Sequence, residues 1–171
     1  KGATHGGNGA YYETIFDDEA SQPISNGSAP YTGRFTPYDP TINKLSDFDG
    51  QSITGTWKLV IYNRGNSSAS IDWQLMMDTN NDTPKSKKVY DHTYTGSTLT
   101  VPDNQQSTVF TADINVTDSG TLEDLDVKFN MDSGNSDYLG YAIISPYGTA
   151  VLLKGATHGG NGAYYETIFD D

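Results

Sequence analysis

The sequence predicts an all-β fold, an antiparallel jelly-roll β-sandwich, from three observations. The 171 residues include twelve Tyr and eighteen Gly, and abundant Tyr, Thr, Ser, Asn and Gly are typical of β-sheets joined by polar turns. Several short segments alternate apolar and polar residues with a period of two. Turn signals such as Asn26-Gly27, Asp49-Gly50 and Ser119-Gly120 separate them, and no long stretch carries a helical period.

The strands can be assigned in chain order. Apolar residues occupy alternate positions in 71–77 and again in 125–131, so each of these segments has one apolar face. The other candidates are 10–16 and its copy 163–169, 57–62, 109–116, 139–144 and 149–153. Many short strands at this spacing are typical of a sandwich or jelly roll.

The organisation of the chain is dominated by a repeat. Residues 1–18 and 154–171 have the same sequence, KGATHGGNGAYYETIFDD. An identity of this length does not arise by chance, so the sequence is periodic. One period runs from Lys1 to the start of the next copy at Lys154, and the chain is slightly longer than one period. Three origins are open: an excerpt from an array of repeats, a circular permutant with a duplicated segment, or a subunit that exchanges strands with its neighbours.

The chain divides into two halves around a polar segment. We expect 79–96 to be a linker or long loop, because its first part contains Pro84 and has little to bury. Residues 1–78 and 97–171 then form the two halves of the sandwich fold. If molecules associate end to end, 1–78 completes one sandwich and 97–171 begins another.

Composition excludes several classes of function. The net charge is −12, with 22 acidic and 10 basic residues, which disfavours nucleic acid and is compatible with divalent cations. The absence of Cys excludes disulfides, thiolate catalysis and Cys-based zinc sites. No apolar run approaches the ~18–20 residues of a membrane span, and no signal peptide is present in the printed sequence.

The sequence also offers no convergent catalytic set. Its histidines are His5, His92 and His158, and Ser145 has no evident His partner. There is no nucleophile elbow, metalloprotease motif or phosphate loop. We therefore expect a protein that is not an enzyme.

A set of motifs becomes consistent when the chain is read from Val101 to its end and then from Glu19 onward. These are SPYGT at 145–149, GGNG at 159–162, FDDEA at 16–20, APYTG at 29–33, GTWKL at 55–59 and DWQL at 72–75. In this circularly rotated order the chain resembles the P domain (Homo B domain) of proprotein convertases and bacterial secreted proteins. The resemblance covers most of the chain outside 79–96. It makes 97–171 the N-terminal half and 1–78 the C-terminal half of a P-like domain, and it implies a jelly-roll sandwich, whose neighbouring termini tolerate rotation.

Clustered carboxylates are the candidate metal ligands, with Ca²⁺ as the cofactor. Calcium takes oxygen ligands from irregular acidic loops, and bacterial members of the family that the chain resembles often contain it. The candidates are Asp17, Asp18, Asp132, Asp137, Asp170 and Asp171. A solvated acidic loop is the alternative, Asp137 lies one residue out of the family register, and Asp47 with Asp49 form a weaker candidate that lacks a bidentate Glu.

Aromatic residues have two interpretations. Trp57 and Trp73 lie at alternating strand positions and match core positions of the resembled family, so we expect both to be buried. An exposed aromatic platform that binds sugar is the alternative.

The expected function is a non-catalytic, calcium-stabilised structural module that is extracellular or attached to the cell surface. An exact repeat favours a repeat or subunit of a surface fibre or adhesin, whose partners are copies of itself joined head to tail or adjacent repeats. The resemblance implies an alternative, an accessory domain that stabilises or regulates a subtilisin-like serine protease. An engineered permutant with a duplicated strand is a further alternative.

Overall fold

The computed structural model describes residues 11–64, 68–81, 86–96, 99–102, 108–133 and 136–156, with backbone alone for 81 and 86–90. The strands in this part of the chain are β1 Tyr11–Phe16, β2 Tyr31–Phe35, β3 Gly55–Asn63, β4 Ala69–Asn81, β5 Ser86–Thr93, β6 Leu99–Val101, β7 Thr108–Val116, β8 Thr121–Ser133, β9 Leu139–Ile144 and β10 Ala150–Lys154. Three short 3₁₀ helices are η1 Ile24–Asn26, η2 Leu45–Phe48 and η3 Ser136–Tyr138.

The strands form two packed sheets, which confirms the predicted all-β sandwich. The first sheet has the order β2-β1-β8-β4-β5, with β6 also pairing with β4, and the second has the order β10-β9-β3-β7. Strands β1 and β2 are parallel, and the other paired strands are antiparallel. The finer jelly-roll topology stays a prediction.

The alternating patterns read from the sequence form the core. In β4 and β8 the apolar positions are buried and face the second sheet. Trp57 and Trp73 are also buried, as expected. The Trp57 indole N–H donates to the Ile53 carbonyl at 2.9 Å, so its one polar atom is satisfied inside the core.

The polar segment 79–96, expected as a linker or long loop, contains regular structure. Strand β4 continues to Asn81, and β5 pairs with it from Gln74↔Thr93 to Asn81↔Ser86. Backbone pairing at a sheet edge needs few apolar side chains, which is why hydrophobic pattern alone did not indicate this hairpin. Among the described residues, no helix has the length and apolar character needed to cross a membrane.

The two predicted halves of the chain combine in one sandwich. Strand β3 from the first half pairs with β7 and β9 from the second, and β8 lies between β1 and β4. Within one molecule, both halves therefore contribute strands to the same two sheets. End-to-end association between molecules stays a prediction.

Phe129 on β8 joins aromatic residues of both sheets, and this predicts a large cost for its removal. Its ring centroid lies 5.0 Å from that of Tyr141 on β9 and 5.5 Å from that of Tyr11 on β1. Phe129→Ala should lower the free energy of unfolding by about 3–5 kcal/mol, because it leaves a cavity between the sheets. Urea denaturation followed by tryptophan fluorescence measures the loss.

Val109→Ala is the control for this prediction, since Val109 lies on β7 and is 50% exposed. Its expected cost is under about 1 kcal/mol. Equal losses in the two variants would contradict the proposed aromatic junction.

Candidate functional site

The first copy of the repeated segment supplies an interior strand. Strand β1 lies between β2 and β8 and pairs with both. Tyr11, Thr14 and Phe16 are buried, and the Thr14 hydroxyl donates to the Tyr31 carbonyl at 2.7 Å. This copy therefore contributes both backbone pairing and core side chains.

The second copy begins at Lys154, the last residue of β10. This lysine is buried, and its Nζ donates to the carbonyls of Ser136 at 3.0 Å, Gly155 at 3.3 Å and Leu139 at 3.5 Å. Burial lowers the pKa of Lys154 to about 8, while the charge of Asp137 acts in the opposite direction. Three carbonyl oxygens thus replace the water that the ammonium group loses.

The docked parts of the two copies meet around Tyr141. Lys154 Nζ lies 5.7 Å from the centroid of the Tyr141 ring, and the Tyr11 centroid lies 5.8 Å from it on the other copy's strand. After Lys154, the backbone passes Gly140 so closely that a β-carbon there would lie 3.3 Å from the Ala156 nitrogen. One sandwich therefore docks 154–156 of the second copy together with 11–18 of the first.

The two docked parts are complementary pieces of one segment. In an uninterrupted copy, seven residues (157–163) separate Ala156 from Tyr164, the counterpart of Tyr11. An extended chain of that length spans up to about 25 Å. One continuous copy can therefore run from the position of Lys154 to that of Tyr11, since both residues lie beside the Tyr141 ring. Residues 157–171 themselves lie outside the described part of the chain.

Asp17, a predicted metal ligand, is buried and already bonded within the protein. Its carboxylate accepts from the Arg34 guanidinium and from the Glu19 backbone N–H at 2.8 Å. Burial alone would raise the pKa of Asp17, but these bonds outweigh burial and hold it below its usual value. Arg34 also donates to Asp126 at 2.9 Å, so one guanidinium group serves two carboxylates.

Asp18 caps a helix that is remote in sequence. Its carboxylate accepts from the backbone N–H groups of Leu45 and Ser46 at 3.0 and 2.9 Å, and from the Ser46 hydroxyl at 2.9 Å. These N–H groups belong to the first turn of η2, where helix donors lack intrahelical partners. The oxygens of Asp17 and Asp18 thus accept hydrogen bonds from Arg34, Glu19, Leu45 and Ser46, and their role as calcium ligands stays a prediction.

A second group of carboxylates lies beside them. Burial raises the pKa of Asp49 to about 6, and the negative charges of Asp124, Asp18 and Asp47 add to the shift. Burial likewise raises the pKa of Asp126 to about 6, although Arg34 opposes it. Negative charge in this region therefore exceeds the positive charge that compensates it.

Two further predicted ligands, Asp132 and Asp137, lie elsewhere in the described structure. Asp132 lies near the end of β8 and lines an outer cleft, and Asp137 lies in η3, where its charge affects Tyr11, Tyr141 and Lys154. Asp170 and Asp171 lie outside the described residues. Across the described ranges, no three His, Cys, Asp or Glu residues are arranged to hold a metal ion; calcium binding stays a prediction.

The structure describes one of the three histidines, and it describes Ser145. His5 and His158 lie outside the described residues, and His92 Nε2 lies 3.5 Å from Asp118 Oδ2. The Ser145 hydroxyl oxygen accepts from the Tyr147 N–H at 3.3 Å within a turn. The absence of enzymatic activity stays a prediction.

Two central residues were missed by sequence reasoning. Arg34 carried no motif, and its partner Asp126 lies 92 positions away. Lys154 did carry a signal, because it ends the apolar run Ala150–Leu153. A lysine that continues a buried strand must place its ammonium group among acceptors.

No family model, curated protein or solved structure matches this chain. The resemblance to the P domain stays a prediction from sequence motifs.

The buried ammonium group of Lys154 predicts a distinctive pH dependence. Its pKa is about 8 in the folded protein against 10.5 for an ordinary lysine, so between these values the unfolded chain binds more protons and stability rises with pH. Between pH 8 and 9.5 the gain is on the order of 1.5 kcal/mol. Lys154→Met should abolish this rise, which urea denaturation at pH 8 and 9.5 measures.

Lys58→Met provides the matched control, because Lys58 is exposed on β3. That variant should keep the rise between pH 8 and 9.5. The comparison stays below pH 10, since burial of Tyr11 and Tyr141 raises the pKa of each and lowers stability above that pH. An unaltered slope in Lys154→Met would contradict the burial of its ammonium group.

Proposed function

We propose that this chain is a non-catalytic structural module of an extracellular or cell-surface array, in which the repeated 18-residue segment is an internal part of each sandwich. The observation that carries the proposal is the shared docking of the two copies. Lys154 ends β10 at one edge of the second sheet, and β1 (Tyr11–Phe16) is an interior strand of the first. The docked pieces 154–156 and 11–18 correspond to the beginning and the end of one copy.

The proposal explains why an exact repeat appears at both ends of the chain. In an array, every copy runs continuously from the end of β10 into β1 and then toward β2. This chain carries one copy at 1–18 and one at 154–171, and its described residues include the late part of the first copy and the early part of the second. This is the arrangement in which Lys154 and Tyr11 contact the same ring.

Strand exchange between separate chains follows from the same geometry. The β1 position takes a single strand, whereas the chain contains two segments of identical sequence for it. The second copy can enter this position in another molecule, which gives a head-to-tail contact that does not close. Fibre growth is the expected consequence.

Calcium remains part of the proposal as a stabilising ligand. Support comes from the crowded carboxylates around Asp49, where the charges of Asp124, Asp18 and Asp47 add to the effect of burial. A divalent cation would reduce the repulsion among these charges.

The assembly prediction concerns the intact chain and a shortened one. The intact chain should associate with increasing concentration, whereas deletion of residues 1–18 should give a folded monomer in which the remaining copy fills the β1 position. Light scattering and sedimentation measure the masses, and tryptophan fluorescence reports folding. A stable monomer of the intact chain at high concentration would refute exchange.

Point variants test whether the copies are interchangeable. Tyr11→Ala alone should cost under about 1 kcal/mol, because the second copy can replace the altered strand, and Tyr164→Ala alone should cost less. Their combination should cost about 3–5 kcal/mol, the loss of a buried aromatic residue. If Tyr11→Ala alone costs as much as the pair, the copies do not interchange.

The calcium prediction has its own experiment. Calcium at about a hundred times Kd adds roughly 2.7 kcal/mol, so the midpoint of thermal unfolding should rise by about 5–10 °C over that in EDTA at pH 7.5. The rise should be smaller at pH 5, because Asp49, with a pKa of about 6, then takes up a proton. Without calcium, ionisation of Asp49 lowers stability as pH rises from about 4 to 6.

Paired variants locate the effect. Asp49→Asn with Asp124→Asn should remove the calcium response, whereas Asp91→Asn, at an exposed position on β5, should keep it. The same midpoint in EDTA and in millimolar calcium would exclude calcium stabilisation.

A further inference from the structure

A cleft of about 360 Å³ opens on the solvent face of the first sheet, across β1, β8 and β4. Its polar and aromatic lining comes from six side chains that the proposed structural role does not use: Tyr12, Glu13, Ser70, Asp72, Asn130 and Asp132. The volume lies in the range of ordinary ligand pockets.

The floor of the cleft is a set of directly opposed polar residues. Ser70 on β4 faces Asp132 on β8, and two residues further along Asp72 faces Asn130. Opposed side chains on one face of a sheet have β-carbons about 5 Å apart. Hydrogen-bonding groups are therefore spaced regularly on a rigid surface.

A bulge in β1 forms the wall of the cleft. The register with β8 shifts between Tyr11 and Thr14, and Glu13 adopts a positive φ of 52°. As a result Tyr12 and Glu13 are both exposed, although successive strand residues normally face opposite sides. The Glu13 N–H donates to Asn130 Oδ1 at 2.8 Å, which ties the bulge to the floor.

This bond also orients the groups that a ligand would meet. Because Asn130 Oδ1 accepts from Glu13, the Nδ2 end of the amide is the end that can donate to a ligand. Tyr12 is 54% exposed and places an aromatic ring in the lining of the cleft. Glu13 pairs with Lys128 Nζ, which balances part of the acidic charge.

We propose that this cleft binds a neutral saccharide. Each sugar hydroxyl both donates and accepts, and the floor supplies acceptors at Asp72 and Asp132 beside donors at Ser70 and Asn130. The Tyr12 ring can pack against the C–H face of a pyranose, as amphipathic aromatic side chains do at binding surfaces. Two carboxylates in the floor would repel an anionic sugar.

A cationic ligand is the competing occupant, since it would also meet the carboxylates. Such a ligand would use the acceptors and leave the Ser70 and Asn130 donors without a role. The described residues also contain no cluster arranged to hold a metal ion. The mixture of donors, acceptors and an exposed ring therefore favours the saccharide.

The experiment titrates the intact chain with cellotetraose, chitotetraose, mannotetraose and galactotetraose by calorimetry, with spermidine as the cationic probe. We expect at least one tetrasaccharide to bind with a millimolar or lower Kd. Asp72→Ala and Asp132→Ala should each weaken that binding at least tenfold, and Asp91→Ala on β5 should leave it unchanged.

Tyr12 needs a double substitution because the repeated segment contains its copy. Tyr12→Ala combined with Tyr165→Ala should lose at least tenfold in affinity, whichever copy forms the wall. Absence of binding by all four sugars at 10 mM (about 3 kcal/mol of affinity) overturns the proposal. Sugar binding that survives Asp72→Ala and Asp132→Ala, or saturable binding of spermidine alone, overturns it as well.

Discussion

The interior position of β1 is the constraint on which the first sheet depends. Both backbone edges of this strand are paired, in parallel with β2 and antiparallel with β8. Without it, β2 loses its attachment to the sheet and β8 exposes a long unpaired edge, a situation that folded proteins avoid. The strand also supplies Tyr11 and Phe16 to the core, where both contact Phe129. The duplicated segment therefore supplies the first sheet with both backbone pairing and core side chains.

Charge in this acidic protein is organised by the environment of each carboxylate. Asp17 is held ionised by Arg34, and Asp18 is used by the N–H groups of η2. Asp49 has no such compensation among the contacts that determine its pKa, so burial and neighbouring negative charges raise it. Adjacent residues of one type thus have different roles, and their positions in sequence do not distinguish them.

Sequence alone predicted the sandwich because the hydrophobic pattern is local. The alternation in 71–77 and 125–131 specifies two strands and their buried faces, and it correctly placed Trp73 in the core. Strand β5 lacks that signal, since its pairing with β4 is made by backbone groups that any polar sequence possesses. The sequence predicted that carboxylates cluster, but it did not predict which groups their oxygens contact. Arg34 meets Asp126 only because β1 separates β2 from β8 by one strand.

The boundary of the repeating unit follows from where contacts cross the chain. Domain boundaries fall where few contacts cross, and the duplicated segment fails this criterion at both docked ends. Lys154 is buried among three carbonyl groups, and β1 is paired on both sides.

By contrast, β5 and β6 pair only with β4 among the described strands, and β6 has three residues. In the proposed array, a boundary between modules therefore breaks the fewest packed contacts when it lies between the end of β4 and the start of β7. In the array that we propose, a unit runs from β7 through β10, the 18-residue segment and β2 to β4. In that order the two halves of the sandwich follow each other without interruption.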